Sequence, residues 1–258
     1  MSVTLDQIKE LRERTGVSTM TCKKALDETD GDIDAAIDLL RKKGEAKAAD
    51  RADRYTGNGV VVVKIGGGKA AILSLLCETD FVSRGEDFQN LAGELTEKLL
   101  SGEYSADSEE VPEAMKDAFI KLGEKIVVGG KKIVEGSTLG YYVHSNSRIG
   151  VVVSLEGGNE ELAKDVAMHS AATNPSCISP EEVSDGTVAK EKEIWTEQLA
   201  REGKPAEIIE KIMMGKEKKF REENALVKQQ FVKDPEKTIE QLLQEGGATV
   251  KEFVRLAV

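Results

Sequence analysis

Aromatic side chains are scarce, 4% of 258 residues with a single Trp. Large aromatic-filled cores are therefore excluded, and the length suits two or more small units packed by aliphatic residues. Cysteine is almost as sparse. Cys22, Cys77 and Cys177 are far apart and lack metal-ligand spacing, which excludes a disulfide framework or zinc cluster and points to a reducing, cytoplasmic setting. His144 and His169 are the only histidines. Neither has a neighbouring nucleophile or metal set, so each reads more readily as a structural or surface residue than as a catalyst. No apolar run approaches a membrane span, and Met1-Ser2-Val3-Thr4 lacks the basic and apolar regions of a signal peptide. A formal charge of -11 argues against a phosphate-backbone binder, and basic runs such as Arg41-Lys42-Lys43 read as solvated helix faces. No cofactor is expected.

What is present is charge, at 32% of residues, laid over helical and strand periodicities. Thr4 to Gly44 predicts three short helices. Thr4 caps the first, with Leu5, Ile8 and Leu11 on its apolar face and Gly16 as its end. Thr19 or Thr21 starts the second, and Gly31-Asp32 opens the third, which carries Ile33, Ala36, Ile37 and Leu40 and stops at Gly44. Glu45 to Asp53 has no apolar stripe and reads as a helical or extended linker, with the first module tethered loosely.

Val60 to Ile65 and Ala70 to Cys77 are apolar runs joined by Gly66-Gly67-Gly68-Lys69, a β-hairpin pattern. A phosphate loop is rejected there: Ala70 follows the Lys where Ser or Thr is required, and a strand follows where a helix is needed. After the second strand, Ser83 and Glu86 fit a capping box for a helix carrying Phe88, Leu91, Leu95 and Leu99, which leaves Thr79, Asp80 and Phe81 in the connection. Two readings of the aromatic stay open at this point. Phe81 or Val82 staples the helix to its own core, or Phe81 projects from a tight turn as an anchor for a partner. Further on, Pro112 to Gly123 predicts a helix, and Ile126 to Val134 a strand.

Leu139 to Ala172 repeats the plan of strand, turn, strand and helix. Ile149 to Leu155 answers Ala70 to Leu75, with Glu156-Gly157-Gly158 opposite the acidic and aromatic pair. Phe81 is thus not demanded by the repeated fold. From Pro180 the pattern changes to two apolar helical stripes, Val188, Ile194, Trp195 and Leu199, then Ile208, Ile209, Ile212, Met213 and Phe220. Gly203-Lys204-Pro205 separates them, as in an antiparallel helical hairpin. Trp195, Met213 or Met214 either packs within the hairpin or offers a dimer contact. Asp234-Pro235 marks a turn, Ile239 to Leu243 a helix and Phe253 to Val258 a last strand.

The expected class is α+β. Residues 1–54 form a three-helix bundle similar to ubiquitin-associated domains plus a linker, 55–138 a first core subdomain and 139–180 the start of a second. Residues 181–229 form the inserted hairpin, and 230–258 complete the second subdomain.

The string Cys77-Glu78-Thr79-Asp80-Phe81-Val82-Ser83-Arg84 resembles the signature of the bacterial elongation factor Ts family, the nucleotide-exchange factors for elongation factor Tu. Leu11-Arg12-Glu13-Arg14-Thr15-Gly16 with Cys22-Lys23-Lys24-Ala25-Leu26 is similar to that family's N-terminal signature. The resemblance implies a protein without covalent chemistry of its own, which binds elongation factor Tu in its GDP-bound and nucleotide-free states and promotes GDP release. It implies partner contacts at Thr79, Asp80, Phe81 and Val82, with Phe81 as a wedge that disturbs the magnesium and phosphate site and Asp80 fixing the turn. It also implies contacts near Arg12, Met20 and Lys23, at Leu122-Gly123 (otherwise an ordinary helix stop), and at His144 toward a distal domain. Self-association as a homodimer or heterotetramer through the hairpin belongs to the same resemblance. Longer members continue into one more docking helix beyond the position of Val258. Two rivals stand beside this reading. One is a helix- or peptide-binding adaptor built on the bundle; the other, weaker, is a thiol hydrolase using Cys77.

Overall fold

The computed structural model describes residues 3–51, 53–108, 112–201 and 206–258. Met1-Ser2, the acidic Glu109 and Glu110, and the expected break at Gly203-Lys204-Pro205 lie outside the described residues. The chain is an α+β protein.

Helices α1 (Leu5–Thr15), α2 (Thr19–Glu28) and α3 (Ile33–Asp50) form the N-terminal bundle. Thr4 caps α1 in a reciprocal box with Gln7, and Gln7 Nε2 reaches on to the Gly31 carbonyl at 2.9 Å, tying α1 to the turn before α3. Ile8, Leu11, Val17, Cys22, Ala25, Leu26, Ala36 and Leu40 make the core. Leu5, expected on the apolar face, is 83% exposed.

Gly44 does not stop α3, which runs on to Asp50. The residue is glycine because another helix crosses there. A Cβ on Gly44 would stand 2.3 Å from Ile120 Cγ1, and Ile120 packs against the bundle core. Arg41 Nε also pairs with Asp117 Oδ1 at 3.2 Å. The linker is thus helical as far as Asp50, and only its expected looseness is corrected, because α3 docks on the helix that carries Asp117 and Ile120.

The core continues with β1 (Asn58–Gly66), β2 (Lys69–Cys77), α4 (Asp80–Arg84), α5 (Glu86–Ser101), α6 (Glu113–Leu122) and β3 (Val127–Glu135). Next come β4 (Thr138–Val143), β5 (Ile149–Gly157), α7 (Glu160–Thr173), α8 (Asp185–Arg201), α9 (Ala206–Asn224), β6 (Gln230–Phe231), β7 (Asp234–Thr238), α10 (Ile239–Glu245) and β8 (Ala248–Ala257). Two three-stranded antiparallel sheets result, ordered β1-β2-β3 and β4-β5-β8.

Alternate residues of β2 face different layers. Ala71, Leu73 and Leu75 pack with Phe88, Leu91, Leu95 and Leu99 of α5, while Ala70 and Ile72 meet Leu139 and Val152 of the other sheet. In β5, Val151, Val153 and Leu155 pack with Ala163, Val166 and Ala167 of α7. The order of layers is helix, sheet, sheet, helix. Both central strands are covered on both faces, which is why their sequences run apolar without alternation.

The duplication is visible in register. Pairing shifts between Ser74 and Leu75 in β2 and between Ser154 and Leu155 in β5. Both serines are buried and donate to strand carbonyls, Ser74 Oγ to Gly130 of its own sheet at 3.4 Å and Ser154 Oγ to Glu135 of the other sheet at 3.2 Å. The same spacing sets Thr79 against Asn159, each an N-cap. Phe81 therefore answers Glu161, not the Glu156-Gly157-Gly158 stretch expected from sequence.

In the inserted hairpin, Trp195 meets Phe220 edge-on at 5.8 Å, and Val188 and Leu199 are buried beside it. Ile194 leaves the expected stripe and is 49% exposed. Phe231 pairs directly with Asp234, so Asp234-Pro235 opens β7 and the turn is Val232-Lys233; proline is tolerated at the start of a strand. Among the described residues no helix is long and apolar enough to cross a membrane.

Candidate functional site

Strand β2 ends at Cys77 and the chain turns sharply into α4. Thr79 starts that turn: its Oγ1 accepts the Val82 N–H at 3.4 Å. The expected capping box at Ser83 and Glu86 is corrected. Ser83 is buried inside α4 and its Oγ donates to the Asp80 carbonyl at 3.0 Å, while α5 starts after Gly85 without a side-chain cap. The signature thus runs from the end of β2 at Cys77 through the Glu78-Thr79 turn onto a separate short helix, Asp80–Arg84. In the second half, α7 runs unbroken from its Asn159 cap.

Within α4 the residues divide. Val82 packs against the first core and Ser83 is buried, but Phe81 points outward at 85% exposure. The staple reading belongs to Val82. Asp80 does not hold the turn with its side chain, since capping falls to Thr79. Its carboxylate pairs with Arg84 across one helical turn at 3.2 Å, on the exposed side, where such pairs contribute little.

A second turn lies against the first. Helix α6 ends at Gly123, whose φ of 72° is the left-handed conformation common at helix ends. Glu124 follows, and its carboxylate reaches across to the β2–α4 turn. Oε2 accepts the N–H groups of Glu78 at 3.1 Å and Thr79 at 3.0 Å, and Oε1 accepts the Thr79 hydroxyl at 2.6 Å. The reach is returned by Glu78, whose Oε1 accepts the Lys125 N–H at 2.7 Å and whose Oε2 lies 3.1 Å from Arg54 Nη1. The Lys125 N–H, joined by Arg54, holds the Glu78 carboxyl below the usual carboxylate range. Asn58 Nδ2 completes the junction by donating to the Glu78 carbonyl at 3.0 Å.

Leu122 and Gly123 thus stand beside Thr79 to Val82. The bundle joins from the other side. Lys121 pairs with Asp87 of α5 at 2.6 Å, and its side chain lies over Gly16 in the α1–α2 loop. Val17, Ser18, Ile120 and Gly123 share a cavity of about 230 Å³. Met20, at the start of α2, is 64% exposed near this junction, and Arg12 and Lys23 are exposed on the same bundle.

His144 follows β4 in an exposed turn, its ring edge-on to Tyr142 at 6.3 Å. The turn is tied to the beginning of β1: Val61 N–H donates to the Ser147 carbonyl at 2.7 Å, and Arg148 Nη2 to the Gly57 carbonyl at 3.0 Å. It therefore stands at the end of the sandwich where Asn58 pairs with Cys77.

Cys77 offers no nucleophile. It is fully buried, its Sγ lies 3.2 Å from the Thr79 carbonyl, and burial together with Glu124 pushes its pKa up to about 11. The thiol-hydrolase reading ends there.

Sequence reasoning missed Glu124, gave Glu78 no role and overlooked Arg54, Asn58 and Tyr55. Tyr55 is 87% exposed, with its ring over Gly57, close to the Arg54–Glu78 pair. None of these belongs to a periodic or capping pattern, and the links between the two turns span more than forty residues of sequence.

Comparison with known proteins adds an independent line. The family described as Elongation factor TS matches residues 78–258. An Elongation factor Ts of Thioalkalivibrio sulfidiphilus is 47% identical over all of this chain and 92% of its own length. One from Teredinibacter turnerae is 46% identical over the whole chain and 91% of its own, and one from Francisella tularensis subsp. novicida is 47% identical over 97% of the chain and 90% of its own. With the duplicated sandwich, the Thr79-capped turn and a match that covers the chain from end to end, this protein belongs to the elongation factor Ts family.

Proposed function

We propose that the chain promotes GDP release by lodging Phe81 between helices of elongation factor Tu, which disturbs the magnesium and phosphate site of that GTPase. As a member of its family the chain is a nucleotide-exchange factor of translation elongation. The wedge is the finer part of the reading, and one observation carries it. In a chain with so few aromatics, Phe81 is 85% exposed on a short helix that Thr79 caps and that Val82 and Ser83 anchor to the core. An exposed Phe gives up roughly 1.5–3 kcal/mol of burial, which a partner's pocket recovers, and such anchors carry much of the energy of interfaces.

In this reading Leu122 and Gly123 line the partner's contact beside Phe81. Arg12, Met20 and Lys23 take a second contact on the bundle, and His144 a third. The factor binds nucleotide-free elongation factor Tu more tightly than the GDP-bound form, and by linkage nucleotide weakens factor binding by the same ratio. Self-association through the hairpin is also part of the proposal. Trp195 is spent on Phe220, so the contact falls to Met214, 68% exposed, and to Ile194 and Ile208, each about half exposed. Sedimentation that shows no dependence on concentration removes this element.

The test is release of a fluorescent GDP analogue from elongation factor Tu by the wild type and by Phe81→Ala. Acceleration by the wild type and not by a folded variant supports the wedge. Equal acceleration by both returns Phe81 to an ordinary surface residue. Acceleration by neither removes the exchange reading and favours an adaptor built on the bundle.

A further inference from the structure

We infer that Glu124 is a positioning residue for Phe81, through a crossed carboxylate clamp with Glu78 that makes the β2–α4 turn and the α6–β3 turn one rigid unit. The inference rests on the exchange-factor reading and extends it to residues outside the signature's contact set. A wedge works only if its base does not yield. Force on an exposed ring at the tip of α4 passes into the turn at Glu78-Thr79, where the strand has already ended and no ladder bonds remain.

Three hydrogen bonds from that turn converge on the single Glu124 carboxylate, at 3.1, 3.0 and 2.6 Å. The clamp is reciprocal, since Glu78 Oε1 holds the Lys125 N–H at 2.7 Å. Each carboxylate therefore accepts from the main chain of the other's turn, and neither turn can shift without breaking the set. Charge-assisted acceptors of this kind are the strong ones, and half-buried N–H groups left without them are costly. The clamp also fixes Leu122-Gly123 relative to Phe81, so both contacts reach the partner in one geometry. The second half of the fold supplies a contrast: Asn159, the counterpart of Thr79, caps an unbroken α7, and no carboxylate is bonded to the N–H groups of Gly158 and Asn159 among the hydrogen bonds of the described residues.

Glu124→Ala removes the acceptor from all three bonds. Glu124→Gln keeps an oxygen for the two N–H groups, and its amide NH2 can donate to the Thr79 hydroxyl, which both donates and accepts. The experiment measures release of a fluorescent GDP analogue from elongation factor Tu against factor concentration, together with hydrogen exchange at the Glu78 and Thr79 amides. For Glu124→Ala the maximal release rate falls at least about tenfold, the half-saturating concentration moves less than about threefold, and Glu124→Gln restores most of the rate. The two amides exchange at least about tenfold faster in the Ala variant, while those of β5 do not change.

Unchanged amide exchange overturns the clamp whatever the activity. Faster exchange with a wild-type release rate overturns the positioning role, and a Gln variant as slow as Ala overturns the hydrogen-bond mechanism. Wild type that does not accelerate release removes the exchange reading, and the positioning role with it. Should Glu124→Ala not fold at the assay temperature, Glu124→Asp takes its place with the same expected split, since its carboxylate is one methylene shorter and falls short of the Glu78-Thr79 turn.

Discussion

Gly44 and Ile120 meet at a helix crossing where even one methyl group has no room: a Cβ at Gly44 would lie 2.3 Å from Ile120 Cγ1. The bundle is attached to the core through this crossing, with Arg41 and Asp117 beside it. Gly44→Val forces Ile120 off its packing position and should cost about 1–3 kcal/mol by overpacking. Urea unfolding measures the loss, and hydrogen exchange places it: α6 and the end of α3 should lose protection while β2 and β5 keep theirs. Uniform loss of protection would show that the crossing is not where the strain falls.

Glu78 makes stability depend on pH at the acid end. Its carboxyl is held low first by the Lys125 N–H and then by Arg54. A depressed carboxyl contributes stability that is present above the unfolded value, near 4.3, and is lost as pH falls through the folded one. Glu78→Gln keeps an acceptor for the Lys125 N–H but no charge. The wild type should therefore be the more stable of the two at neutral pH, and their urea midpoints should converge as pH falls below about 4. A difference that persists unchanged into acid would mean that the charge of Glu78 contributes nothing.

Phe81 and Phe88 test opposite fates of the same side chain in one short stretch. Phe88 is fully buried in the first core, and Phe81 is 85% exposed. Phe88→Ala should cost about 3–5 kcal/mol, whereas Phe81→Ala should stay within about 0.5 kcal/mol of wild type. Thermal or urea unfolding of both variants separates them. A large loss for Phe81→Ala would mean that the ring is part of the fold, and would confound its use in the exchange assay.

Elements set by local pattern could be read from the sequence, and contacts made across long separations could not. The apolar runs of β2 and β5, the Thr4 cap and the Gly123 helix end follow from nearest neighbours, so the α+β plan and its duplication were legible. Gly44 was misread because a glycine after a helical pattern has the look of a stop, and only the crossing with α6 shows why it is there. Ser83 and Glu86 satisfied the spacing of a capping box, but Thr79 sits nearer the strand end and takes the cap first. Phe81 was legible only through resemblance, since its exposure depends on which neighbour, Val82 or itself, turns inward. Glu78 and Glu124 had no signal, because each bonds to main-chain groups that any residue would provide.

His169 should give a second pH dependence, in a milder range. The ring is fully buried between α7 and the β6–β7 segment. Its Nδ1 accepts the Val232 N–H at 3.3 Å, so Nε2 carries the proton and donates to Gln229 Oε1 at 3.0 Å. Gln229 Oε1 also accepts the Thr173 hydroxyl at 2.8 Å. The neutral ring thus satisfies every partner, and a second proton on Nδ1 would face the Val232 N–H. Burial accordingly holds the pKa below the ordinary histidine value, against a smaller opposing effect of Gln229. For such a group stability is complete above the unfolded value of about 6.5 and declines as pH falls from there toward the folded value. Urea midpoints of the wild type should fall between about pH 7 and pH 5, with the loss of protection beginning in β6 and β7. His169→Gln should be less stable at pH 8 and nearly flat across the same interval. A wild-type midpoint that does not move over this range would mean that the unfolded chain holds its histidine as neutral as the fold does, and the burial argument for His169 would fail.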